Sequence, residues 1–159
     1  MTHTYTAETI WERGDQPFSD NLYSRKHILK FDCGLEIPGS SSPLVVPEPC
    51  SESNAIDPEE ALVSAISSCH MLWFLSIAAK NGYVVDSYHD NAFGVMKPNN
   101  RNKYWLSSVT LQPKIVFSGE KAPSPEKLAS MHHDAHEECF IANSVKTHIQ
   151  VLPQPIPNG

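Results

Sequence analysis

Four cysteines and eight histidines are the side chains here best suited to redox, nucleophilic or metal chemistry. The cysteines stand at 33, 50, 69 and 139, and no two have the Cys-x-x-Cys spacing of a zinc ribbon or a thioredoxin-type dithiol. Cys69 lies inside Ala61–Ala79, a stretch without a charged residue, where a cysteine is most often a small buried hydrophobe. Cys139 ends the segment His132-His133-Asp134-Ala135-His136-Glu137-Glu138-Cys139. On a helix, His132, His136 and Cys139 fall at i, i+4 and i+7 and share a face. Such a stripe offers ligands to zinc, although three ligands on one helix rarely close a tetrahedral site. His70 follows Cys69 directly and on a helix points about 100° away, so it is no natural general base for that thiol. Cys33 and Cys50 read as spare thiols.

The elements that must hold these residues are legible in outline. Asp57-Pro58-Glu59-Glu60 is a helix start. The Asp accepts from orphan N–H groups, the Pro suits the first turn, and Glu60 reaches back to the Asp57 amide. Good helix formers continue to Asn81-Gly82, which predicts a helix of about 24 residues and about 36 Å over Pro58–Asn81. Before it, Thr4–Trp11 and Arg25–Phe31 read as strands, and Pro38–Pro43 reads as a loop. After it come two long strand-like segments, Tyr83–Met96 and Tyr104–Phe117, predicted to form a β-hairpin with an edge or bulge at Pro113. Ser124-Pro125-Glu126 opens a second helix that runs to about Cys139, and Ser144–Leu152 is a last strand ahead of a Pro-rich tail over 152–159. The order β-β-(loop)-α-β-β-α-β is an α+β plan in which antiparallel strands cover helices.

With 159 residues, one domain spanning 1–159 and one hydrophobic core are expected. Apolar residues at 40% exclude a disordered tail, and a net charge of −6 disfavours nucleic acid or an anionic membrane as partner. Ala61–Ala79 is about as long as a bilayer span, but Ser64, Ser67, Ser68, His70 and Ser76 interrupt it. It reads as a helix buried on nearly all sides by protein. The opening Met1-Thr2-His3-Thr4-Tyr5-Thr6 has neither a basic nor an apolar signal region, so a cytoplasmic protein with reduced thiols is expected.

The Asp-Pro-Glu helix start, Cys69 ten residues beyond Glu59, and Ala135-His136-Glu137-Glu138-Cys139 ahead of a last strand together resemble the OsmC/Ohr family. These are the osmotically inducible and organic-hydroperoxide-resistance proteins. The resemblance runs over nearly the whole chain and implies an OsmC-like α+β fold, an antiparallel sheet wrapped around a long central helix in an intertwined dimer. It implies a thiol peroxidase that needs no cofactor and no metal. Cys69 would be oxidised by an organic hydroperoxide to a sulfenic acid, and Cys139 would condense with it to a disulfide. An external dithiol of lipoyl or thioredoxin type would then restore the pair. Similar proteins lower the pKa of the first cysteine with an arginine held by the glutamate of the helix start. Here the matching residues are Glu59 and Arg25, with Arg13 in reserve. His70 and Phe140 depart from the family pattern, which has an aromatic residue after the first cysteine and a proline after the second.

Glu59 and Cys69 on one helix are about 15 Å apart along the axis and about 80° apart around it. A Glu59 that serves Cys69 must therefore come from a second copy of the chain, in a homodimer with composite sites. The alternatives are a non-enzymatic OsmC-fold stress or binding protein, and a His/Cys metal-site protein.

Overall fold

The computed structural model describes residues 2–154. The Pro-rich tail anticipated at 152–159 therefore lies partly outside the described residues. The chain divides into two compact units, one up to Ala61 and one from Leu62 onward.

In the first unit, β1 (Ala7–Ile10), β2 (His27–Phe31) and β3 (Glu36–Gly39) form an antiparallel sheet in that order. β1 and β2 lie within the segments expected from the sequence, β1 shorter at both ends and β2 at its start. β3 does not, because its Pro38 and Gly39 look like loop residues by composition. Pro38 is tolerated because β3 is an edge strand. Its carbonyl still accepts the Ile56 N–H at 3.0 Å, while Ser40 N–H donates to Ile56 at 3.0 Å, so the segment leading into the long helix is tied to this sheet. The predicted capping box is formed. Asp57 Oδ1 accepts the Glu60 N–H at 2.7 Å, and Glu60 Oε2 accepts the Asp57 N–H at 3.3 Å.

Helix α1 runs over Pro58–Lys80 and stops at Gly82, whose φ of 74° lets Tyr83 N–H turn back to Ala78 O at 3.0 Å. The second unit then builds on α1. β4 (Val84–Asp90) pairs antiparallel with β7 (Pro113–Ser118), and β5 (Phe93–Pro98) pairs antiparallel with β6 (Tyr104–Leu111). The predicted hairpin is thus present, but each arm breaks in the middle and feeds a separate sheet. Asp90 stitches the break: Oδ1 accepts the Gln112 N–H at 2.6 Å and Oδ2 accepts the Ser67 hydroxyl of α1 at 2.5 Å. Helix α2 covers Pro125–Glu138, a 3-10 turn covers Ala142–Ser144, and β8 (His148–Val151) pairs parallel with β6. That parallel pairing corrects the expectation of antiparallel strands alone. α2 and the turn after it carry the chain back to the sheet in the same direction as β6.

Two apolar clusters surround α1. Ile66 packs with Val109 and Leu111, and Phe74 and Ala78 pack with Ile115, Met131 and Ala135. Strand β5 approaches closely. A Cβ on Gly94 would stand 2.7 Å from a methyl of Leu106 and 2.9 Å from one of Val63, so a larger residue would have to push those side chains aside. The buried line Ile66, His70, Phe74, Ala78 repeats every four residues, as the core face of a helix does. Contrary to the expected all-round burial, its own chain leaves the opposite line open, with Ser64, Ser68, Leu72 and Ser76 exposed. α1 is long and apolar enough to cross a membrane, but its buried line makes it a core helix.

Removing the helix cap tests how far α1 depends on its start. Asp57→Ala should lower unfolding stability by about 1 kcal/mol without changing the urea dependence of the transition, as read by urea titration followed by circular dichroism.

Candidate active site

Cys69 sits midway along α1, and Cys139 is the residue that ends α2. Packing α2 on α1 brings the two thiols near enough for Cys69 to shift the titration of Cys139. Their surroundings differ. Cys139 is 1% exposed, and its Sγ accepts the Ala142 N–H at 3.3 Å. Burial, followed by the hydrogen bond with Cys69, pushes its pKa up to about 11, partly offset by the N–H groups of the turn. Cys139 is therefore a neutral thiol at physiological pH. Cys69 is half-buried and lines a groove of about 550 Å³ whose walls include Ala65, Leu72, Trp73, Phe140 and Ile141. No disulfide links the pair.

The turn after α2 is held by local bonds. Cys139 N–H donates to His136 O at 3.3 Å, Asn143 Nδ2 donates to Glu137 O at 2.7 Å, and the Ser144 hydroxyl donates to Phe140 O at 2.6 Å. Phe140 stands edge-on to Trp73, with ring centres 5.6 Å apart. Of the bulky residues on this part of α1, Phe74 is buried, whereas Trp73 lines the groove. Leu72 lines it too and is exposed.

His70 and His132 are both buried, and His70 Nε2 lies 3.0 Å from His132 Nδ1. The rings are nearly parallel at 7°, and Phe74 stacks on His132 with centres 4.4 Å apart. Burial lowers the pKa of His70 to about 4, helped by the nearby charge of His136. Burial also lowers His132 to about 3, helped by His70. His70 thus turns away from Cys69, as its helical position predicts. His132 is committed to His70, and among the described residues no three His, Cys, Asp or Glu side chains cluster as metal ligands do. Sequence alone shows only that His132 and Cys139 share a face; the partner His70, 62 residues away, carries no local signal.

The other residues singled out from the sequence lie in the first unit. The Arg25 guanidinium donates to Tyr23 O at 2.5 Å and to Asn21 Oδ1 at 2.8 Å, and lies 4.1 Å from the centre of the Tyr23 ring. Arg13 donates to Gln16 O at 3.0 Å. Glu59 is half-buried in the first turn of α1. Among the described residues, neither Arg25 nor Arg13 forms an ion pair with Glu59; the pairs present are Lys26–Glu52 and Lys30–Glu36. Cys33 is exposed in the β2–β3 turn, and Cys50 Sγ donates to Leu22 O at 3.2 Å.

A family model described as OsmC-like protein matches residues 51–152. The chain belongs to the OsmC-like family. An OsmC-like protein of unknown function from Vibrio cholerae is 49% identical, with a TM-score of 0.94, over 96% of this chain and all of that one. More distant OsmC-like folds include an organic hydroperoxide resistance protein from Elizabethkingia anophelis, with 17% identity and a TM-score of 0.69 over 99% of this chain and 100% of the other. Another is the organic hydroperoxide resistance protein OhrB of Bacillus subtilis, with 13% identity and a TM-score of 0.69 over 96% and 98% of the two chains. No curated protein matches the sequence. The α+β fold expected from the sequence is thus the OsmC-like one.

Both histidine pKa values lie below the ordinary 6.5, so the unfolded chain binds protons that the native pair refuses. Stability from this source is complete above about pH 6.5, falls by about 1.4 kcal/mol per pH unit for each ring below that, and is fully lost once pH has passed the native values of about 4 and 3. Urea titrations at pH 7 and pH 5 should show His70→Gln/His132→Asn losing less stability over that interval than the parent chain.

Proposed function

We propose that this protein is a cysteine-based thiol peroxidase that reduces organic hydroperoxides. The observation that carries the reading is one pair of neighbouring, mutually interacting thiols on α1 and at the end of α2, of which only Cys69 faces an apolar groove. A Cys69 thiolate attacks the distal oxygen of the hydroperoxide. The O–O bond breaks, the alcohol leaves with a proton, and Cys69 becomes a sulfenic acid. The Cys139 thiol then displaces water and forms the Cys69–Cys139 disulfide. An external dithiol takes over that oxidation and restores both thiols. The high pKa of Cys139 suits a group that stays protonated until Cys69 has been oxidised. Trp73, Phe140 and Ile141 supply apolar contact for an alkyl chain.

Cys69 is twelve residues into α1, too far from the helix start for the dipole to hold its thiolate. We assign that task to Arg25, oriented by Glu59 of a partner copy in a homodimer. The uncovered line Ser64, Ser68, Leu72 and Ser76, small residues around one leucine, suits helix-on-helix packing across such an axis.

Consumption of an alkyl hydroperoxide with dihydrolipoamide or reduced thioredoxin tests the assignment. Turnover should vanish in Cys69→Ser. In Cys139→Ser it should stop after one equivalent, with a trappable sulfenic acid. Arg25→Ala should lower kcat/KM by about a hundredfold. Light scattering should give the mass of two chains; an active protein with the mass of one would remove Glu59 from the mechanism. No turnover of any alkyl hydroperoxide by the parent chain would leave a binding protein on this fold.

A further inference from the structure

A side-chain hydrogen bond between His70 and His132 joins α1 to α2. It sits inside an apolar seam of Phe74, Ala78, Met131 and Ala135. Apolar contacts have no direction, so such a seam resists separation better than sliding or rolling. The pair is also costly to keep. His70 Nδ1 and His132 Nε2 are buried with no hydrogen-bond partner, and two apolar side chains of similar size would avoid that penalty. What the pair adds is direction. One ring donates, the other accepts, and the bond tolerates displacements of only a few tenths of an ångström before it weakens.

That directional contact is carried by the same two helices as the sulfurs. His70 is the residue after Cys69. His132 is seven residues before Cys139, about 10.5 Å along α2 and within about 20° of its face. A disulfide needs its Cβ atoms about 3.5–4.5 Å apart, whereas a slip of one helical turn is about 5.4 Å. We propose that His70 and His132 are positioning residues whose hydrogen bond fixes the register of α2 on α1 and so holds Cys69 and Cys139 where they can form a disulfide. The inference rests on the peroxidase reading only in requiring that the two sulfurs bridge. Both rings stay neutral at physiological pH, so the clasp is closed under working conditions.

The geometry supplies its own controls. The bond uses Nε2 of His70 and Nδ1 of His132, positions that the amide groups of glutamine and asparagine respectively reach. His70→Gln and His132→Asn therefore keep a hydrogen bond across the seam. His132→Phe keeps a ring against Phe74 and removes the bond.

The test equilibrates each purified full-length chain with mixtures of oxidised and reduced dithiothreitol. The Cys69–Cys139 disulfide is then quantified by alkylation and peptide mass spectrometry. In this exchange the two protein thiols give two electrons and two protons to the cyclic disulfide of the reagent, which opens to its dithiol. The expected result is a disulfide at least tenfold less favoured in His132→Phe than in the parent, a shift of about 30 mV. In His70→Gln and His132→Asn it should stay within about threefold of the parent. Circular dichroism and the urea midpoint establish that each variant is folded. If His132→Phe does not fold, the comparison passes to His70→Met, which likewise removes the bond and carries the same expected shift. An equilibrium unchanged in the folded bond-deleting variant overturns the clasp and leaves the peroxidase reading intact. A parent chain that forms no such disulfide under any mixture, with both thiols still alkylated, overturns both. Equal losses in all the variants would also overturn the clasp, since the amide replacements retain the bond.

Discussion

The seam between α1 and α2 is the contact on which the proposed chemistry of this chain depends. Neither sulfur is unusual on its own. Cys69 is one small residue on an apolar helix, and Cys139 closes another helix. Packing makes them a pair, and it makes them unequal, because the same contact that buries Cys139 leaves Cys69 on the wall of a groove. That inequality gives the proposed reaction a direction. In it the open sulfur meets the oxidant, and the enclosed one waits as a thiol with its proton held tightly.

Around the seam, polar groups are placed where an apolar interior would otherwise leave freedom. Asp90 joins α1 to the broken arms of the hairpin through Ser67 and Gln112, and so fixes the height of the helix above the strands. His70 and His132 occupy the corresponding place between the helices. These contacts contribute little net stability, and the unpaired nitrogens of the histidines subtract from it. Their value is in selecting one arrangement among several that the hydrophobic clusters would accept.

What the sequence reveals and what it hides follows the range of the forces involved. α1 is legible because its signals are local. Asp57 and Glu60 cap each other within one turn, and Gly82 ends the helix with a conformation other residues resist. β3 is hidden because Pro38 and Gly39 look like a loop until the edge of a sheet accommodates them. The splitting of the hairpin and the parallel alignment of β8 with β6 are set by contacts dozens of residues apart, as is the pairing of His70 with His132. The relation of Cys69 to Cys139 became visible through likeness to a family and not through spacing. His132 illustrates the limit: its place on the face of Cys139 is evident, but a stripe of potential ligands and half of a buried hydrogen bond look the same in one dimension.

The position of Cys139 at the very end of α2 has a mechanical consequence. A sulfur carried in mid-helix can be displaced only with the rod that bears it, whereas one on a terminal residue moves by fraying a single turn. The bonds at stake are the few local ones from His136 O, Ala142 N–H and Asn143. In the proposed cycle, drawing this sulfur into a covalent bond would strain a short spring and leave the rest of the architecture at rest, so that bridging and reopening could alternate without refolding.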